Sequence, residues 1–496
     1  MNWKTIWKSL SNQDMRKRIL AVLGMLFIFR VLAHIPIPLT DGETLKQLLE
    51  NLFTSSDTPQ LLSFIDVLSG GALANFSIML VGLGPYINAS IIMQLLTKAI
   101  PKLENLNKEG EYGRKKINQY TRMITLPLAI VQSVGTIYLV RQTATQVGGI
   151  GDITAGAGPE QWALMVAALT GGSMLLMWLG ELITEEGIGN GISLVITVGI
   201  VSQLPATVSN IVQGIFANNP SWDLLGITLP INQDATLLAL GILAGVVIAT
   251  ALVVKLNEAT RNVTIHYAKR IQGNRAYGGV KTVLPIKLIT AGVIPIIFAL
   301  AFLSVPSFIG QLLSSNSNPQ WAELGANLMT WFQAPTAQSF AAGGWQPYLY
   351  PIVYFFFVFV FTFFYTSITF NSQEIAENLQ KQGGFIEGVR SGKQTEKYLS
   401  KLVNRLTLFG ALSLGLLAVA PIIIQAFVKT NIALQGTSVL ILVAVALETL
   451  RQIESRALMV TYDQYEQPDF FYENTEDEKG KKERKMRFLT VRNRKK

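Results

Sequence analysis

LLSFIDVLSGGALANFSIMLVGLGPYINASIIMQLLT, running from Leu61 to Thr97, is apolar nearly throughout and too long for one membrane crossing. At ~1.5 Å per residue a continuous helix of this length would reach ~55 Å, against a hydrocarbon core of ~30 Å. The Gly70-Gly71 pair, preceded by Ser69, is the natural break, because glycine weakens a helix interior. The split leaves a short piece, Leu61 to Leu68, which carries Asp66, and a full span, Phe76 to Leu96. A segment that enters hydrocarbon without crossing it needs protein around it, since lipid cannot pair its open backbone groups. The stretch therefore predicts a half-helix lodged in an interior cavity of a channel or carrier.

Half of the residues are hydrophobic and only 15% are charged, too few charges for a soluble domain of this size, so the chain reads as a polytopic membrane protein. The absence of cysteine excludes a disulfide framework and thiolate metal sites. His34 and His266 are the only histidines and lie far apart in sequence, so no imidazole-based catalytic or metal centre, and no cofactor, is expected. The net charge of +9 is tested first as membrane topology rather than as nucleic-acid affinity. Trp3, Ile6, Trp7 and Leu10 recur at helical spacing among Lys4 and Lys8, the pattern of an interfacial helix, and no cleavable signal peptide is expected there.

Outward from the central stretch, apolar runs predict ten spans. The first half holds about Ile19–Ile37, Phe76–Leu96, Tyr120–Val140, Ala163–Ile183 and Ile192–Val212. The second holds about Ala235–Leu256, Leu288–Leu313, Tyr348–Phe370, Leu402–Phe427 and Thr437–Ile453. Lys and Arg fill the N-terminus, the loops after spans two, six and eight, and the tail, whereas the opposite side carries only Lys46, Arg141 and Lys429, with Arg30 inside span one. Both termini are therefore expected on the cytoplasmic side. The short acidic turn from Glu181 to Gly191 departs from the basic pattern, and acidic residues weigh little in this rule. Five spans plus five give the halves opposite orientations, as in inverted repeats. The expected fold is all-α and polytopic: ten transmembrane helices in two inverted five-helix halves, with a re-entrant half-helix. Its segments are a polar N-terminus 1–18, a first half 19–214 including 61–74, a second half 235–455, and a tail 456–496. Loops 257–287 and 371–400 project on the cytoplasmic side, and the first reads as two strands, Asn262–His266 and Val280–Leu284.

Two functions fit this topology, a protein-conducting channel and a secondary solute transporter. Intramembrane charge is sparse: Arg30 and Glu181 are the main candidates and both lie near span ends, where long side chains reach the interface. That argues weakly against ion coupling. The loops Arg261 to Lys287 and Asn371 to Ser400 are long and basic, as a docking surface for a large anionic partner would be, although positive-inside loops share that charge. No Gly-x-x-x-x-Gly-Lys-Ser/Thr pattern is present, so any driving energy is expected from a partner and the chain is not expected to be an enzyme. A pore-less insertase is a third reading.

The sequence resembles the SecY family, the central channel subunits of bacterial protein translocation, along essentially its whole membrane part. The matching stretches include FRVLAHIPIP (Phe29–Pro38), LSGGALANFSIMLVGLGPYINASIIMQLL (Leu68–Leu96), EGEYGRKKINQYTR (Glu109–Arg122) and MWLGELITEEGIGNGIS (Met177–Ser193). They continue through HYAKRIQGNRAYGG (His266–Gly279), LPIKLITAGVIPIIFA (Leu284–Ala299), GTSVLILV (Gly436–Val443) and QYE (Gln464–Glu466), in matching order and spacing.

The resemblance implies a plug at Phe64, Ile65, Asp66, Val67, Leu68, Ser69, Gly70 and Gly71, and a pore ring of Leu83, Ile87, Ile192, Ile196, Ile297 and Ile441. An aliphatic ring dewets and blocks ions yet deforms around a passing chain; without the resemblance, Ile and Leu at helical spacing read as ordinary core or lipid-facing residues. Spans two and seven would be the jaws of a lateral gate, with Gln94, Gln132 and Thr290 as its polar contacts; Ile289 stands where the family often has Asn. Arg261, Lys269, Arg270, Arg275 and Arg390 would dock the SecA motor and the ribosome with its RNA. The family's GIRPG reads GVRSG here (Gly388–Gly392), preceded by Glu387 in place of Pro, so two turn-fixing prolines are absent. The other implied partners are SecE, SecG, YidC, signal-bearing preproteins and membrane lipids, and the implied location is the bacterial cytoplasmic membrane.

Overall fold

The structure is a computed structural model. It describes residues 13–37, 69, 72, 76–147, 158–216, 222–224, 227–229, 232–267, 269–272, 275–278, 281–314, 318–333, 335, 339–340, 343–428 and 436–465. The N-terminal helix expected around Trp3 to Leu10, plug residues Phe64 to Leu68 with Gly70 and Gly71, and the tail beyond Tyr465 lie outside the described residues.

A helix occupies each of the ten expected spans. In the first half these are α1 (Gln13–Leu32), α2 (Gly84–Ala99), α4 (Glu111–Val147), α5 (Pro159–Glu186) and α6 (Gly191–Phe216), with the short α3 (Pro101–Lys108) between α2 and α4. After a small hairpin of β1 (Trp222–Leu224) and β2 (Ile227–Leu229) come α7 (Gln233–Glu258), α8 (Ile294–Ser314), α10 (Gln346–Thr369), α12 (Lys393–Val428) and α13 (Gly436–Tyr465). Between these, α9 (Pro319–Phe332) packs back on α8, and α11 (Ser372–Lys381) leads into α12. Five of the described helices are long and apolar enough to cross a membrane. Large apolar side chains face outward along them, for example Leu243 on α7 and Leu416 on α12, and along α1 at Phe27, as a surface against lipid requires.

The second span departs from the expected helix. α2 begins only at Gly84, and residues 76–83 form turns. Gly82 takes a left-handed φ of 63° and Pro85 opens the helix, so the backbone cannot continue helically upstream. The exposed backbone groups are paired by protein. The Ile37 N–H donates to the Phe76 carbonyl (3.0 Å) and the Ile78 N–H to the Ile35 carbonyl (3.1 Å); Ser173 Oγ on α5 donates to the Gly82 carbonyl (2.8 Å). Gly172 on α5 is obligatory at this contact, because a Cβ there would overlap the Ile78 carbonyl.

The seventh span repeats the device. α8 starts at Ile294, not Leu288; Gly292 has φ 61° and Pro295 lies in the first turn. The Leu288 N–H donates to the Ala259 carbonyl (2.8 Å), and Gly410 on α12 leaves room for the Leu288 carbonyl. Gly82-Leu83-Gly84-Pro85 and Gly292-Val293-Ile294-Pro295 thus occupy matching places in the two halves, each with a glycine from a neighbouring helix beneath it. Irregular backbone at membrane depth is tolerated where protein covers it, and here each half covers its own.

On the loop side, β3 (Thr260–Tyr267) pairs antiparallel with β6 (Lys281–Lys287), as the alternation in sequence predicts, and β4 (Lys269–Gln272) with β5 (Arg275–Gly278) forms a second hairpin between them. β7 (Gly384–Ile386), from the following loop, adds to the free edge of β3. Val263, Ile286 and Ile386 of this sheet pack on Leu399 and Val403 of α12.

Candidate functional site

The site forms where four helices converge. Leu83 just before α2, Ile87 on α2, Ile196 on α6, Ile297 on α8 and Ile441 on α13 are all buried aliphatic members of one hydrophobic cluster, and half-buried Ile192 packs against it. The helix starts put them there. Leu83 is the residue preceding the first turn of α2, and Ile87 and Ile297 each follow their helix-opening proline by two residues. Asn190 Oδ1 accepts from the Ile192 and Ser193 N–H groups (3.1 and 3.4 Å) and caps α6. Thr184 Oγ1 accepts from the Gly191 N–H (2.9 Å), and Gly187 closes α5 in the left-handed conformation. The rigid α5–α6 turn therefore aims Ile192 and, one turn on, Ile196 along one face. Val293 and Val445 join the same cluster, in places corresponding to Leu83 and Ile196 in the opposite halves. Sequence reading missed them; the shared Gly-x-x-Pro signal could have found Val293. Two residues from the plug segment are described, Ser69 and Ala72; both are fully buried, and Ala72 belongs to the aliphatic cluster.

The structure does not bring Gln94, Gln132 and Thr290 together. Gln94 Nε2 donates to Ser90 Oγ on its own helix (3.3 Å), and its Oε1 is buried without a hydrogen-bond partner among the described residues. Gln132 lies against Gly84, and Thr290 Oγ1 donates to Thr366 Oγ1 on α10 (3.1 Å). The contacts described for each of the three lie within its own half. The seam between halves, where α8 packs on α2 and α4, is made instead by Gly135 and Phe308: a Cβ at Gly135 would overlap the Phe308 ring. Small residues at helix crossings permit such close approach. Ile289, at the family's Asn position, is buried beside Gly410, an apolar contact within the second half.

Two acids of the α5 end are matched by cations. Arg122 Nε on α4 donates to Glu181 Oε1 on α5 (3.1 Å), and a second, shorter ion pair joins the same two side chains, so Glu181 is held between helices rather than reaching to the interface. Arg18 Nη1 donates to the Glu186 carbonyl (3.0 Å), and the Arg456 guanidinium lies over Gly187. The acidic α5–α6 turn is thus matched by cations from α1 and α13.

At the root of the sheet, Arg451 Nη2 donates to the Asn257 carbonyl (3.0 Å). Burial holds the Lys287 amine below its usual value, Arg451 lowers it further, and Glu448 partly offsets both.

Arg261 and Arg390 are exposed on the loop side, and Lys269, Arg270 and Arg275 lie on the β4–β5 hairpin. Without its two prolines, the Arg390 turn is fixed by Gly388 (φ 78°), Gly392 (φ 92°), a hydrogen bond from Thr395 Oγ1 to the Arg390 carbonyl (2.9 Å), and Val389 packed against the sheet core. Glu387, at one of the two missing proline positions, pairs with His266 Nε2 on β3 (3.5 Å).

This fold is that of protein-conducting channels. It matches a solved structure described as a protein conducting channel with a TM-score of 0.55 at 18% identity, over 87% of this chain and 90% of that one. It also matches a chain of an idle yeast Ssh1 complex bound to the yeast 80S ribosome, with a TM-score of 0.52 at 17% identity, over 84% and 90% of the two chains. The SecY family model matches residues 77–450. Protein translocase subunit SecY of Streptomyces coelicolor is 39% identical over 92% of this chain and 98% of its own length; the Corynebacterium glutamicum subunit is 38% identical over the same shares. The chain belongs to the SecY family.

Proposed function

We infer that this chain is the channel subunit of a bacterial protein translocase, passing unfolded preproteins across the cytoplasmic membrane and releasing apolar segments sideways into lipid. One observation carries the reading. The six ring positions are all aliphatic and come from four helices and both halves; five lie within the one hydrophobic core and Ile192 packs against it, which suits a seal that must block ions and widen around a polypeptide. A solute carrier would instead be expected to present ionisable groups at this depth, and the Arg122–Glu181 pair is spent between α4 and α5.

In this reading 61–74 is the plug, α2 with α4 and α8 with α10 are the two jaws of the lateral gate, and both termini are cytoplasmic. The β3–β6–β7 sheet, the β4–β5 hairpin and the Arg390 turn dock a motor such as SecA, or the ribosome, and small membrane subunits of the SecE and SecG type complete the complex. The chain supplies the path and its partner the energy. Reconstitution into liposomes tests this: with partner subunits and motor ATPase the chain should import a signal-bearing preprotein. Solute uptake coupled to an ion gradient, without preprotein import, would overturn it.

A further inference from the structure

A groove of about 550 Å³ opens between the loop-side ends of α10 and α12, away from the ring, the seam and the docking turn. Its wall is one face of α12. Lys397, Lys401 and Arg405 recur every four residues there and are all exposed, and none has an ion pair among the described residues. Ser400 and Asn404 stand beside them, while Phe363 of α10 and Leu408 form the apolar floor. Half-buried Glu396 is the one acid of the lining, so that three cations face one carboxylate.

The height of this groove is set by the helix that carries it. α12 has 36 residues and so runs ~54 Å, well beyond a hydrocarbon core of ~30 Å. Leu408, Phe409, Leu412 and Leu416 are exposed and apolar, which places the hydrocarbon boundary near Leu408. Arg405 lies about one turn outside that boundary, Lys401 about two turns, and Lys397 ~16 Å from it along the axis. The headgroup layer is about 5–7 Å deep on each side, so Arg405 stands at phosphate level and Lys401, at ~10 Å, at its outer edge.

We propose that this groove binds one anionic glycerophospholipid of the cytoplasmic leaflet, on the membrane placement given above. Its phosphate sits beside Arg405 with Lys401 on its outer side, Asn404 donating to phosphate or glycerol oxygens and Ser400 facing the headgroup. One acyl chain follows Phe363 and Leu408 down towards Leu412. An acidic protein segment would satisfy the cations but has no use for an apolar floor that continues into the lipid-facing surface; a lipid uses both. The same helix start holds the Arg390 turn through Thr395, so a lipid seated here fixes the height of that turn above the membrane.

The test uses the full chain with its partner subunits in nanodiscs of phosphatidylcholine doped with phosphatidylglycerol. Native mass spectrometry counts retained anionic lipid in the wild type, in K401Q/R405Q, and in R114Q/K115Q as a control in another basic loop. A factor of about five per basic residue gives ~30-fold weaker retention for K401Q/R405Q, with the control unchanged. Phosphatidylglycerol carrying a photoreactive acyl chain should label the peptide around Leu408 to Leu412, and glycerol phosphate in solution should not compete. Equal retention in all three proteins, or crosslinking of an acidic protein segment instead of lipid at Lys401, overturns the proposal. The membrane placement is read separately: the chain has no native cysteine, so a Lys397→Cys probe reports which side of the membrane α12 begins on.

Discussion

Adding a single methyl at Gly135 should loosen the closed channel. Gly135 on α4 lies so close to Phe308 on α8 that any Cβ overlaps the ring. Forcing an extra methyl into a packed contact costs about 1–3 kcal/mol, and this cost falls on the closed arrangement alone, because parting the seam removes the neighbour. At 1.4 kcal/mol per factor of ten, the ratio of open to closed seam should rise ~5- to 150-fold for Gly135→Ala and further for Gly135→Leu. Resting ion conductance of the reconstituted channel in a planar bilayer measures the shift, and export of a preprotein with a weakened signal sequence should rise in parallel. The sign is informative. In a helix without the Phe308 contact, Gly→Ala should stabilise by about 0.8–1 kcal/mol. Higher thermal stability with unchanged conductance would therefore refute the seam, whereas Phe308→Ala combined with Gly135→Ala should cancel much of the effect of the glycine change.

Three further outcomes are expected. Ile297→Ser or Ile441→Ser places a hydroxyl in the aliphatic ring and should raise resting ion leak while leaving protein in the membrane; conductance equal to wild type would remove the residue from the seal. Arg390→Glu should abolish motor-driven export at normal chain levels, read by preprotein import into inverted vesicles, and ordinary import would sink the docking role. Arg122→Ala leaves the Glu181 carboxylate without its cation and should lower stability by about 1–3 kcal/mol, with Glu181→Gln milder; thermal unfolding of the purified complex distinguishes them.

Span number and the pairing of β3 with β6 were legible because they rest on local patterns, apolar run length and alternation. The starts of α2 and α8 were not. Phe76 to Leu83 and Leu288 to Val293 are as apolar as the helices they precede, and hydropathy cannot distinguish helix from turn when both are buried. The turns exist because Gly82 and Gly292 adopt positive φ and because Ser173, Ile35 and Ala259 supply distant hydrogen bonds. The neighbours of the candidate gate residues were hidden for a related reason: spacing places Gln94, Gln132 and Thr290 on their helices but says nothing of which group each one meets. A glycine such as Gly135 carries no chemistry in sequence, and its meaning appears only with Phe308 beside it. β7 was invisible as well, since three residues of strand in a polar loop become a strand only against the edge of β3.

The addition of β7 gives the loop side a mechanical character. Seven consecutive residue pairs bind β3 to β6, a ladder of ~24 Å at ~3.4 Å per residue, and β7 splints its edge from the next loop. The ladder ends at Lys287, and only Leu288 to Val293 separate it from α8. A push of ~5 Å at the far end of a stiff arm of that length tilts it by ~12°. Through so short a link, such a tilt would reach the helix that carries both Ile297 and Phe308, so a partner pressing on the sheet would act on the proposed ring and the side seam together.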